Sequence, residues 1–144
     1  MSRLSKKGAR VLYVEPPFGL TREVLKQLPY YFRIWKKDGV YVYRLPLIVW
    51  KGILLNKSLS KVMLRTLIRM LGMGKGRPLL SWFYDVQFSF LAGKMDESLS
   101  VYDCVDELSG FSYVTRRHIE YEKDLLRKVD ILFVTSLPLF NKYP

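Results

Sequence analysis

Between Ser100 and Ser136 the chain reads SVYDCVDELSGFSYVTRRHIEYEKDLLRKVDILFVTS, and no other stretch restricts the fold so tightly. A short apolar run, Leu99–Tyr102, breaks into the acidic turn Asp103-Cys104-Val105-Asp106-Glu107. A charged segment with helical spacing follows from about Thr115 to Lys128, and a second apolar run covers Ile131–Thr135. Two strand-like runs separated by a helix-length segment predict parallel strands joined by a crossover. The acidic residues then fall at the carboxyl end of the first strand, where open α/β sheets place their ligands.

The rest of the chain extends this pattern. Arg10–Glu15 (RVLYVE) is a β-branched and aromatic run that predicts a buried first strand, stopped by Pro16-Pro17. Phe18-Gly19 turn the chain, and Thr21 is the expected N-cap of a helix running through about Trp35 and kinked at Pro29. Val40–Leu45 is a second strand ended by Pro46, and Ser58 or Ser60 caps a helix that ends at Leu71-Gly72. Pro78–Tyr84 is a third strand with Asp85 at its carboxyl end, followed by a short helix over Val86–Ala92. Strands at 99–102 and 130–135 complete the set. The expectation is an α/β chain with a Rossmann-like, doubly wound and mostly parallel sheet, one domain over residues 1–144. The first strand–helix turn carries EPPFGL in place of G-x-G-x-x-G, which argues against a dinucleotide cofactor, and no cofactor is expected.

Composition adds two constraints. A hydrophobic fraction of 49% and an aromatic fraction of 15% exclude a disordered chain. The net charge of +11 is concentrated: Arg44, Lys51, Lys57, Lys61, Arg65, Arg69, Lys75 and Arg77 all lie between Asp38 and Asp85, with no carboxylate among them. Such a one-sided distribution implies an anionic partner. Lys57, Lys61, Arg65 and Arg69 recur every four positions and form one stripe on a helix, while Val62, Met63, Leu67, Met70 and Leu71 fill most of the remaining circumference. Two readings follow. One is a sheet-covering helix with a solvated basic face. The other is a helix at an anionic membrane surface, and Trp50 and Lys51 on one flank with Lys75 and Arg77 on the other favour it. No apolar window approaches the roughly 20 residues of a spanning helix, and no signal-peptide core is present. The expected location is therefore cytoplasmic, peripheral on the inner face of the plasma membrane.

The acidic turn admits several chemistries. Asp103, Asp106 and Glu107 are hard oxygen ligands, but D-x-x-D-E lacks metal-site spacing and no histidine lies close in sequence, so no metal is expected. A carboxylate there can act as general base toward a hydroxyl, or accept its hydrogen bond without proton transfer. It can also do no more than organise the turn, as Asp commonly does. Cys104 lies between Asp103 and Asp106, whose charge raises a thiol pKa, and is no nucleophile. His118 sits beside Arg116 and Arg117 on a charged helical face and is expected to be exposed. Ser136 either caps the next segment or touches a ligand. Zinc spacings, P-loops and G-x-S-x-G elbows are missing from the sequence. The aromatics fall within the strands, and no nucleic-acid recognition pattern appears, so nucleic acid is not an expected partner.

VYDCVDELSGF, a helix carrying Glu122, and KVDILFVTSLPLF together resemble the amino-terminal domain of GT-B glycosyltransferases. The similarity is to bacterial enzymes of cell-surface polysaccharide synthesis, including teichuronic-acid-type transferases. Their pattern Y-D-x-x-D, a helical glutamate, then A-D-x-[apolar]-x-x-[ST]-S-x-x-L falls here on Tyr102, Asp103, Asp106, Glu122, Asp130, Thr135, Ser136 and Leu139, with Val129 in place of the alanine. LYVEPPFG at 12–19 resembles the family's first strand and turn. The resemblance is specific over 101–139 and loose over 46–77. It implies an acceptor-side domain facing a donor-binding domain across a cleft. Asp106 and Asp103 would be the catalytic candidates, and Glu15, Phe18, Gly19, Glu107 and Ser136 would contact the acceptor. The implied partners are a nucleotide-sugar donor, held only with a second domain, and a glycan or lipid-linked acceptor. The donor-binding half is missing from these 144 residues, so the chain reads as truncated and inactive in sugar transfer by itself. The alternative is a stand-alone basic Rossmann-like module that binds an anionic surface or nucleic acid without catalysis.

Overall fold

A computed structural model describes residues 2–15, 34–44 and 53–143. The expected Pro16-Pro17 stop, the Phe18-Gly19 turn, the Thr21 cap, Pro46, Trp50 and Lys51 lie outside the described residues. The chain is mixed α/β and divides into two compact units, Met1–Met73 and Gly74–Pro144. Its charge divides the same way. Residues 1–73 carry 15 Lys and Arg against three Asp and Glu, whereas residues 74–144 carry nine against ten.

In the first unit, α1 (Ser2–Lys6) precedes β1 (Val11–Glu15), β2 (Ile34–Lys37) and β3 (Val40–Arg44). The strand order is β1-β3-β2, with β1 parallel and β2 antiparallel to β3. Trp35 was expected at the end of a helix. It lies instead on β2, because Asp38 (φ 50°) and Gly39 (φ 79°) both take left-handed backbone and close a two-residue hairpin onto β3. The following helix, α2 (Ile53–Met70), starts before Ser58 and Ser60, so neither serine caps it, and Ser60 is buried within it. Its end is built as expected. Gly72 turns left-handed, Met73 N–H bonds Ile68 O at 3.0 Å, and Gly72 N–H bonds Arg69 O at 3.0 Å, which together make a Schellman cap.

The second unit is a parallel three-stranded sheet, β4 (Leu80–Phe83), β5 (Leu99–Cys104) and β6 (Ile131–Val134), in the order β4-β5-β6. A 3-10 helix (Val86–Leu91) links β4 to β5, and α3 (Arg116–Leu126) links β5 to β6. Asp85 caps the 3-10 helix by accepting from Gln87 N–H at 2.9 Å. The second unit's core includes Phe83, Tyr102 and Cys104 on one face of the sheet and Val101 on the other, together with Leu125 of α3 and Val86, Phe88 and Leu91 of the 3-10 helix. The described strands thus fall into two three-stranded sheets where one doubly wound sheet was expected. Among the described residues no helix is long and apolar enough to cross a membrane.

Candidate functional site

The three strands of the second sheet run parallel, so their carboxyl ends share one edge. That edge collects Asp85 after β4, Val105-Asp106-Glu107 after β5, and Thr135-Ser136 after β6. The Thr135 hydroxyl donates to Val105 O at 2.5 Å and ties the acidic turn to the end of β6. A further short helix, α4 (Leu137–Lys142), returns Lys142 to the turn, where its ammonium meets Glu107 Oε1 at 2.8 Å. Glu107 also accepts from the Ser109 hydroxyl at 2.7 Å. Lys142 first, and Ser109 after it, hold the Glu107 carboxyl below its ordinary range.

The acidic residues therefore do different things. Asp103 was expected in the turn, but β5 extends two residues further and carries it on the sheet. There its Oδ2 accepts from Trp82 Nε1 at 3.2 Å, and Trp82 stacks on Phe133 with ring centroids 5.5 Å apart. Glu107 is engaged by Lys142 and Ser109. Asp106 is exposed, and among the described residues its carboxylate makes no hydrogen bond or ion pair. Its backbone carbonyl faces the Cys104 thiol at 3.5 Å. Of the three, Asp106 is the one available to a ligand at the carboxyl end of the central strand.

Beneath the turn lies a buried polar cluster. The Tyr102 hydroxyl donates to Glu122 Oε1 at 3.2 Å, and both residues are buried. Burial is the main cause that raises the Tyr102 pKa, with Cys104 and Glu122 adding to it. Burial likewise pushes the Cys104 thiol up, partly opposed by its hydrogen bond with Tyr102, and the neutral thiol fits the reading that it is no nucleophile. Tyr143 Oη is buried without a hydrogen-bond partner in bonding geometry among the described residues. Its pKa is pushed up to about 12, by burial first and by the nearby Glu122 second.

The other expected residues are placed as follows. Ser136 caps α4, its hydroxyl accepting from Leu139 N–H at 3.5 Å. His118 is half-buried rather than exposed, because its Nδ1 accepts from Thr115 N–H at 3.1 Å as the return bond of a capping box. Glu15 belongs to the first unit and pairs with Arg44 across β1 and β3, Nη2 to Oε2 at 2.7 Å. Phe18 and Gly19 lie outside the described residues. Lys57, Lys61 and Arg65 are half-buried along α2, and Arg69 is exposed. No group of three or more metal-ligating side chains converges among the described residues.

Sequence reasoning missed Trp82, Lys142 and Tyr143. Nothing local marks any of them, since each acquires its role from a tertiary contact. No family model matches the chain, and no curated protein or solved structure matches it with significance.

Proposed function

We propose that this chain is the acceptor-binding, amino-terminal side of a GT-B glycosyltransferase that acts on a cell-surface polysaccharide or lipid-linked acceptor. The observation that carries this reading is Asp106: an exposed, unengaged carboxylate at the carboxyl end of the central strand of a parallel sheet. A carboxylate so placed can accept the proton of an attacking sugar hydroxyl. Asp103, bonded to Trp82, would shape the sheet behind it, and Glu107 with Lys142 would hold the turn. A second domain would bind the nucleotide-sugar, so the 144-residue chain by itself is expected to transfer no sugar.

The test compares this chain, alone and joined to a donor-binding domain, for transfer from radiolabelled nucleotide-sugars to a membrane lipid extract. The joined protein is expected to transfer sugar, and Asp106→Asn is expected to lower its kcat by roughly 100-fold or more, the usual scale of general-base loss. An unchanged kcat in Asp106→Asn removes the assigned role. Transfer by the isolated chain removes the requirement for a second domain.

The second reading, a basic module without catalysis, is favoured by one observation: the excess of cations over carboxylates lies wholly within residues 1–73. A filter-binding assay with a single-stranded oligonucleotide separates it from the first, which expects no retention beyond weak, salt-sensitive adsorption.

A further inference from the structure

We infer that the outer face of the second unit's sheet docks an arginine-bearing segment of a partner protein, its guanidinium stacked on the Trp82–Phe133 rings and hydrogen-bonded to Asp103. The inference stands independently of the glycosyltransferase reading, whose candidate residue is Asp106 at the edge of the sheet. α3 packs on the face that carries Tyr102, whereas parallel sheets are ordinarily covered on both faces. Strand alternation puts Leu80, Trp82, Val101, Asp103, Ile131 and Phe133 on the opposite face, where Leu80, Ile131 and Phe133 stay exposed. Trp82 and Phe133 come from the strands on either side of β5, and their rings meet over it with centroids 5.5 Å apart and planes 23° from parallel. Val101 of the strand beneath is 2% exposed. Phe133 is the register partner of Asp103, and Trp82 donates its Nε1–H to Asp103 Oδ2 at 3.2 Å. The aromatic surface thus sits on strands and is fixed by its own hydrogen bond, so it is organised before any partner arrives.

The charge on this face selects the occupant. Asp103 is the only charged residue that the three strands place there, in a chain with 24 Lys and Arg. It is half-buried, and among the described residues its Oδ1 makes no hydrogen bond or ion pair. Among the same residues no cation lies over the Trp82 or Phe133 ring. A carboxylate and the faces of aromatic rings both attract positive charge. A polyanion is repelled, and a wholly apolar surface would bury the open oxygen of Asp103 without a partner. A neutral hydroxyl satisfies that oxygen but draws no cation–π attraction from the rings. Arginine meets every condition: its plane stacks on the rings, an N–H donates to Oδ1, and its weak hydration suits a half-buried setting better than a lysine ammonium does. The second unit carries nine cations against ten carboxylates, so it holds no excess of positive charge against such a partner. Tryptophan and arginine are also the residues that most often anchor protein interfaces.

The experiment follows the indole N–H signals of the 144-residue chain by heteronuclear NMR. The chain has three tryptophans, and Trp82→Phe identifies the signal of Trp82. The probes are three short peptides alike except for two central arginines, lysines or citrullines, titrated to millimolar concentration at physiological salt, with a neutral oligosaccharide beside them. The Trp82 signal is expected to move saturably with the arginine peptide, less with the lysine peptide, and little with the citrulline peptide, which keeps the shape without the charge. Asp103→Asn keeps an oxygen for the Trp82 N–H and removes the charge, and is expected to raise the dissociation constant of the arginine peptide by about tenfold or more. Glu120→Gln, an exposed carboxylate of α3, is expected to leave it unchanged. A Trp82 signal that the arginine peptide does not move overturns the inference. So does equal movement by the citrulline peptide, or equal affinity in Asp103→Asn. Saturation by the oligosaccharide alone would give the face to a glycan instead. The arginine–citrulline comparison uses the parent chain, so it decides the matter even where Asp103→Asn fails to fold.

Discussion

The Tyr102 hydroxyl donates to Glu122 Oε1 at 3.2 Å, joining the central strand β5 to the crossover helix α3 inside the core. Glu122 is buried, and burying a carboxylate is tolerable only when its oxygens are satisfied. The pair therefore fixes how α3 sits on the sheet, and so where the acidic turn between them emerges.

Tyr102→Phe keeps the ring and removes the donor. A buried acceptor left without its partner costs about 1–3 kcal/mol. For a unit of this size that corresponds to a fall of several degrees in thermal midpoint, about 4–8 °C per kcal/mol. Glu122→Gln keeps an acceptor for Tyr102 and is expected to cost less. Thermal unfolding followed by far-UV circular dichroism decides the matter. A Tyr102→Phe midpoint equal to the parent would mean that the bond contributes nothing net.

In the first unit Arg10 performs the corresponding service for α2. Its Nη1 donates to Leu71 O at 3.1 Å and Gly72 O at 2.9 Å, a cation on the negative end of the helix. Gly72 has φ +65°, and a Cβ built there comes within 2.6 Å of that same Nη1. Gly72→Ala is thus penalised twice, by about 1–2 kcal/mol for left-handed backbone and by displacement of Arg10. Arg10→Ala alone is expected to cost about 1 kcal/mol. In the Arg10→Ala background the Gly72→Ala penalty is expected to shrink to its backbone part. Urea unfolding of the four proteins gives the coupling, and strictly additive costs would show that the two positions do not communicate.

Local pattern carried most of the strands into view and little of their partnership. β1, β3, β5 and β6 are each short β-branched or aromatic runs, and the structure has strands at all four. β2 is obscured because Ile34 and Trp35 also fit the end of a helical segment, although the Asp38-Gly39 pair between strand-like residues is a strong hairpin signal. The start of α2 is hidden for the opposite reason: Ser58 and Ser60 are good cap residues, yet the apolar residues before them already continue the helix. At the site, a boundary error of two residues decided the chemistry, since it moved Asp103 from an open turn onto the sheet beside Trp82. Glu107 and Lys142 are 35 residues apart, and no local pattern links them. The turn that carries Asp106 is readable from the break in the apolar run, but that its carboxylate is unengaged among the described residues is a tertiary fact.

Asp130 provides the last test, through pH. Its Oδ2 accepts from the Ser100 hydroxyl at 2.8 Å and from Ser100 N–H at 2.8 Å, and these bonds, the side-chain one first, hold its carboxyl below the ordinary range. A carboxyl whose folded pKa is lowered binds fewer protons folded than unfolded near its titration range. The stability it contributes is present above the unfolded aspartate value of about 4 and is lost as pH falls through the lowered folded value. Glu107 adds a contribution of the same sign, held by Lys142. Asp130→Asn removes only the first, so the variant's stability is expected to fall less steeply than the parent's between about pH 5 and pH 2, while the two curves run parallel above that window. Urea midpoints measured at intervals across pH 2–7 provide the readout. Parallel curves throughout would place the proton uptake of acid unfolding elsewhere and leave the Ser100 bonds without the charge preference assigned to them.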